Sequence, residues 1–229
     1  MRVANSAILK KIYNMRMMMM FQKIPHIKRN RAIIIGNGTS RANFDLNRIP
    51  VKNEVYSCGV AYEGFEDLNR VNLYNVTIEE YRKKMLEDSK LFSNSRILFP
   101  DEIEDHVESS LYHGHTGPRP RSNTGMYAMK CAMFNGNSIL YILGFDSLIK
   151  NDTAQSISNM FDGAAETRTN AADNPNRIRY LDWFMTHNLF TDFVFVFDKQ
   201  YDFYDCKSPN MHGMSYEQFE KALIYETPF

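Results

Sequence analysis

Gly36-Asn37-Gly38-Thr39-Ser40 follows the β-branched run Ile33–Ile35 directly. Glycines let a backbone approach a ligand closely, and an asparagine side chain offers both a donor and an acceptor to a sugar hydroxyl or a phosphate. Thr39 or Ser40 could cap a following helix. The pattern lacks the lysine of a P-loop and the third glycine of a dinucleotide fingerprint. Related chemistry recurs at three places. Tyr74-Asn75 comes just before Thr77, an N-cap candidate, and Gly144-Phe145-Asp146-Ser147 again sets glycine before polar groups. Arg119, Arg121, Ser122, Asn123, Thr124 and Gly125 lead into an apolar helical pattern. Free N–H groups, a positive dipole end and two arginines make such a start a natural phosphate site. For proton transfer the candidates are His113 and His115 in "YHGHTGPRPRSN" and the carboxylates of Asp146 and Asp162. An imidazole near its ordinary pKa acts as a general base at neutral pH. No Asp-x-Asp clamp occurs and His113-x-His115 has no obvious third ligand nearby, so neither a metal nor a resident cofactor is expected.

Each feature also has a plainer reading. Gly36–Ser40 could be a tight strand connection, and Ser122 or Thr124 an ordinary cap, although capping leaves the two arginines unexplained. His-x-His loops are common without catalysis, and His187 falls within a helical pattern and reads as structural.

These residues must be held by something. Short apolar runs at 32–36, 54–59, 71–75, 96–100, 138–144 and 192–198 alternate with helical patterns at 77–89, 125–136 and 175–188. Asn135-Gly136 is a helix stop and Pro175 a helix start. Runs apolar on both faces suit strands covered by helices on both sides. The expectation is one α/β domain, Rossmann-like and doubly wound, with a mostly parallel sheet, on whose carboxyl edge ligands bind. It spans 31–205, between a basic extension (1–30) and a C-terminal tail (206–229). The polar stretch at about 147–175, with Arg168, reads as a long lid over a ligand or as a surface loop.

The chain has 229 residues with 27 basic and 27 acidic side chains, but Asp and Glu begin only at Asp45. The preceding arm combines Lys/Arg with Ile8, Leu9, Ile12, Tyr13, Met15, Met17 to Met20 and Phe21. One reading is peripheral contact of residues 1–29 with an anionic membrane. The others are an extra packed helix, a frayed tail, or a true start at one of the methionines. Lys10, Lys11 and Arg16 interrupt any signal-peptide core, and no run approaches the ~20 apolar residues of a membrane span. Cys58, Cys131 and Cys206, odd in number and far apart, are expected to be free thiols in a reducing, cytoplasmic setting.

"AIIIGNGTSRANFDLNRIP", "VNLYNVTIEEYRKKM" and "RSNTGMYAMKCAMFNGNSILYILGFDS", in this order, resemble the bacterial sialyltransferases of glycosyltransferase family 42 and related short phage and bacterial proteins. The resemblance covers roughly residues 31–147. It implies a GT-A-like variant of the fold and a donor site for a cytidine-monophosphate sugar. By that resemblance Asn37, Gly38 and Ser40 would hold the donor nucleotide, with Asn75 at the donor sugar and ribose, and Asn123, Thr124 and Gly125, preceded by Arg121, would meet its carboxylate or phosphate. Gly36, Thr39 and Gly144 are counted with the donor-binding residues from their places at strand ends. Three departures stand out. Gly59 replaces an expected Asn, no tyrosine follows Asp146 before residue 175, and no histidine lies between 116 and 186.

The expected function is therefore a metal-independent, sialyltransferase-like glycosyltransferase acting on a glycan or other hydroxyl acceptor. The alternatives are a nucleotide-binding or sequestering protein without transfer activity, and a pyrophosphokinase-type relative. Nucleic acid is the weakest partner because the body is acidic. A homo-oligomer is compatible with the sequence.

Overall fold

The computed structural model describes residues 29–58, 64–67, 70–75, 96–98, 124–150 and 174–225. Seven strands form one sheet: β1 (Asn30–Ile35), β2 (Glu54–Cys58), β3 (Leu73–Asn75), β4 (Arg96–Leu98), β5 (Asn137–Leu143), β6 (Asp192–Phe197) and β7 (Met211–Ser215). Their order is β4-β3-β2-β1-β5-β6-β7, and every neighbouring pair is parallel. The chain steps outward from β1 to β4, then returns to the other side of β1 and steps outward again. The topological switch point therefore lies between β1 and β5, where a ligand crevice is expected in such sheets.

Parallel strands need covering on both faces, and the side chains divide accordingly. Ala32, Ile34, Tyr56, Leu140, Ile142, Phe193 and Phe195 pack on one face against Met126, Met129 and Ala132 of α1 (Thr124–Phe134) and Leu181 and Met185 of α2 (Asn174–Thr186). On the other face, Ile33, Ile35, Val55, Tyr141, Val194 and Val196 meet Phe219, Ala222 and Leu223 of α3 (Tyr216–Tyr225). Phe44, Leu46, Ile49 and Phe65 from the β1–β2 and β2–β3 connections complete that layer.

All six expected strands form, as do two of the helices; the pattern at 77–89 lies outside the described residues. α1 ends where Asn135-Gly136 predicted. Gly136 takes a positive φ of 86°, and its N–H donates to the Met133 carbonyl at 2.9 Å. Three expectations need correction. No α-helix follows β1: residues 39–41 and 46–48 form only short 3-10 turns, so Thr39 and Ser40 do not cap a helix. The segment expected as a tail contains β7 and α3, an integral edge strand and core helix. The start of the presumed lid is tied down, because Ile149 bridges Phe203, Lys150 N–H donates to the Asp202 carbonyl (2.8 Å) and Tyr204 N–H to that of Leu148 (2.9 Å). Residues 151–173, including Asp162 and Arg168, lie outside the described residues.

Candidate functional site

The carboxyl ends of β1 and β5 do not splay apart but are joined. Gly36 N–H donates to the Leu143 carbonyl (2.8 Å) and Gly38 N–H to that of Gly144 (2.9 Å), continuing the ladder past both strands. A Cβ on Gly36 would stand 2.5 Å from the Gly144 oxygen, and one on Gly144 would stand 2.7 Å from the Gly36 oxygen. Gly144 also has φ +70°, a region that L side chains rarely adopt. The glycines thus permit close approach, as the sequence suggested, but of one backbone to another.

Asp146 completes the junction. It is buried, accepts from Thr39 Oγ1 (3.1 Å) and from Ser40 N–H (3.1 Å) through Oδ2, and takes the Ser40 hydroxyl on Oδ1. A carboxylate so engaged holds the turn in place, and this geometry describes a positioning group rather than the proton acceptor considered from sequence. Arg41, also buried, donates from Nε to the Gly36 carbonyl at 2.6 Å. Burial lowers its pKa to about 10, partly offset by Tyr216, Cys58 and Asp146. The Tyr216 hydroxyl donates to the Ser40 carbonyl, so the far end of β7 grips the same turn.

Two polar atoms at this edge stand out. Asn37 Oδ1 and Ser57 Oγ are buried and have no hydrogen-bond partner among the described residues. Ser57 is on β2 beside β1, paired with Ile35 two residues before Asn37. A buried, unsatisfied polar atom costs roughly 1–3 kcal/mol, so these two on adjacent strand ends are candidate ligand contacts.

The other predicted residues can be located by element. Asn75 ends β3, paired with Cys58, two strand spacings or about 10 Å from β1. α1 turns through Asn135-Gly136 straight into β5, and Asn135 Nδ2 donates to the Tyr56 hydroxyl (2.7 Å). Asn137 Nδ2 donates to Glu54 Oε2 (2.6 Å) at the start of β2. The helix's last turn is thereby fixed at the amino edge, and its first residues, Thr124 and Gly125, lie toward the carboxyl edge. Gly36–Ser40, Asn75, Thr124, Gly125 and Gly144–Asp146 therefore share one rim. His113, His115, Arg119, Arg121, Ser122, Asn123 and Gly59 lie outside the described residues. His187 follows α2, with Nδ1 2.7 Å from the Trp183 carbonyl and its ring 4.4 Å from that of Trp183.

Comparison of the chain with protein-family models, curated proteins and solved structures finds no match. The rim must be read from its own chemistry.

That chemistry includes groups the sequence reading passed over. Asp198, half-buried, immediately follows β6, and the Tyr201 hydroxyl donates to its Oδ1 at 2.7 Å. Tyr201 and Tyr216 both feel the charges of Asp198 and Asp146, which gathers the four at the carboxyl ends of β5, β6 and β7. Burial first, then these carboxylates, push both phenols well above their ordinary range, so they stay protonated at neutral pH. Applying the strand-end rule to "DFVFVFD" would have found Asp198; nothing local marks Ser57, Tyr201 or Tyr216. No group of three or more His, Cys, Asp or Glu among the described residues is arranged to hold a metal. Cys58, Cys131 and Cys206 are not joined by disulfides.

Proposed function

We propose that the carboxyl rim binds a nucleotide-activated sugar and transfers the sugar to an acceptor hydroxyl, in the manner of a sialyltransferase. The observation that carries this reading is the pair of buried, unpartnered atoms, Asn37 Oδ1 and Ser57 Oγ, beside the switch point. An asparagine acceptor suits a ribose hydroxyl or a base amine, and a serine hydroxyl can meet either a donor or an acceptor. The start of α1 brings the positive end of a helix dipole to the same rim, on the side of the departing phosphate.

In this reading Asp198 is the general base. Unlike Asp146 it is half-buried, and Tyr201 donates to its Oδ1, which orients the carboxylate. Asp198 removes the proton of the acceptor hydroxyl as that oxygen attacks the anomeric carbon. The bond to phosphate breaks, and the nucleotide leaves with the electron pair. The cytidine base and the sialic-acid-type sugar are carried by the family resemblance alone. A second reading, a binding protein without turnover, draws support from Asp146 being wholly engaged in holding the turn at 39–41.

Isothermal titration with cytidine and uridine nucleotides, with and without divalent cations, tests the binding step. Mass spectrometry of nucleotide-activated sugars incubated with the protein tests transfer and hydrolysis. Transfer that falls about 10²–10⁴-fold in Asp198→Asn, with nucleotide affinity retained, supports the enzyme. Tight binding with no turnover of any donor selects the second reading, and absence of nucleotide binding removes both.

A further inference from the structure

The opposite edge of the sheet has a different character. Five large apolar side chains are well exposed among the described residues: Val51 (83%), Phe134 (91%), Leu189 (56%), Phe190 (95%) and Ile224 (65%). All five belong to the amino edge. Val51 is in the turn before β2, Phe134 ends α1 just before β5, and Leu189-Phe190 come just before β6. Ile224 is in the last turn of α3, which starts at the end of β7 and runs back down; Arg31 Nη1 donates to the Ala222 carbonyl (2.9 Å) and fixes that end beside the start of β1. Isolated surface apolar residues are ordinary, but five confined to one rim are a surface.

The chain enters the sheet at this rim. Residues 1–29 contain no Asp or Glu, and β1 begins at Asn30. Arg29 donates to the Phe190 carbonyl (3.4 Å) and pairs with Asp192 (2.6 Å), so its guanidinium is held beside the most exposed phenylalanine. The carboxylates at the starts of β2 and β6 are both engaged, Glu54 by Asn137 and Tyr56, and Asp192 by Arg29 and His212.

We propose that the amino edge is a membrane-facing surface, docking on an anionic lipid bilayer through Val51, Phe134, Leu189, Phe190 and Ile224, at the edge where the acid-free N-terminal sequence joins β1. The shape argues for lipid over a second copy of the chain. The apolar groups stand on four separate loops and helix ends, spread over about 14 Å between β2 and β6 at ordinary strand spacing. Separate prongs enter a fluid interface one by one, whereas a protein interface needs a continuous, closely matched surface. Excess Lys and Arg at such a site selects anionic leaflets. This inference stands on the edge opposite the rim and does not depend on the proposed transfer activity.

The test is flotation of the full chain with vesicles of phosphatidylcholine alone and of equal parts phosphatidylcholine and phosphatidylglycerol. Binding is expected to the anionic vesicles, to weaken with salt, and to fall at least about tenfold in the Phe134→Ser/Phe190→Ser double variant. These positions are exposed, so the variant should keep the thermal midpoint of the parent. Phe190→Trp should retain binding and show a blue-shifted emission on vesicle addition, above the contribution of Trp183. No binding to anionic vesicles, or equal binding by the double variant, overturns the proposal. So does self-association in the ultracentrifuge that the double variant abolishes, which would assign the edge to a second copy of the chain.

Discussion

At the scale of single residues, the junction of β1 and β5 is governed by what Asp146 needs. A buried carboxylate is stable only when donors meet it, and Thr39, Ser40 and the Ser40 backbone N–H do so. A methyl group on Gly38 would collide with Asp146 Oδ1 and the Gly144 carbonyl. Gly38→Ala should therefore destabilise the protein by about 1–3 kcal/mol in denaturant unfolding; an unchanged midpoint would show that the loops are not clamped. Asn37→Ala and Ser57→Ala act differently, since neither atom has a partner among the described residues. Each should leave stability nearly unaltered, or raise it slightly, while weakening nucleotide binding by about 1–3 kcal/mol in titration calorimetry. Loss of stability without loss of affinity would mean that both atoms serve the fold.

Cys58 sets the alkaline limit. Burial raises its thiol from 9.0 to about 12, with Arg41 acting in the opposite direction. The unfolded thiol ionises near 9.0 while the folded one holds its proton to about 12, so folding strength is intact below pH 9.0 and declines as pH rises through about 12. Cys206, also buried enough to rise to about 12, adds to the same decline. Denaturant midpoints should be flat from neutral pH to about 9 and fall above it, and Cys58→Ala should make the fall shallower.

At the scale of elements, α3 decides whether the second half of the sheet is covered. Phe219 is fully buried, with ring contacts to Tyr141 at 5.1 Å and Phe44 at 5.4 Å. Phe219→Ala should cost about 3–5 kcal/mol in thermal or denaturant unfolding; a cost near zero would return residues 206–229 to the status of a tail. The helix itself has legible amphipathic spacing, Tyr216, Phe219, Ala222 and Leu223 on one face, but the strand that leads into it does not announce itself. β7, "MHGMS", has neither an apolar run nor clear alternation. An edge strand with one covered face needs little apolar signal, and its pairing with β6 supplies what its sequence lacks. The central strands are legible for the opposite reason: buried on both faces, Ile33–Ile35 and Phe193–Phe197 must be apolar throughout.

At the scale of the whole molecule, the parallel arrangement gives the two sheet edges different chemistry. Among the described residues, the carboxyl ends of β1, β5 and β6 carry glycine, amide, hydroxyl and carboxylate groups, and the amino ends of β5 and β6 each follow a helix C-terminus. A chain docked by its amino edge would present the carboxyl rim away from the bilayer. Asp198→Asn should then leave vesicle flotation unchanged, and Phe134→Ser/Phe190→Ser should leave nucleotide affinity unchanged; a coupled loss in either direction would show that the edges are not independent.

The sequence by itself determined the strands, two of the helices, the parallel doubly wound plan and the gathering of Gly36–Ser40, Asn75, Thr124 and Gly144 along one rim. Those follow from local periodicity and from the rule that parallel strands align their ends. The tertiary structure alone decided what each rim residue touches: that the glycines face one another, that Asp146 is spent on Thr39 and Ser40, and that Ser57 of β2, Asp198 and Tyr201 of the β6–β7 connection and Tyr216 of α3 join the same edge. It also collected the exposed apolar residues on one edge. Contacts between residues more than a hundred positions apart depend on strand order, which no local pattern encodes.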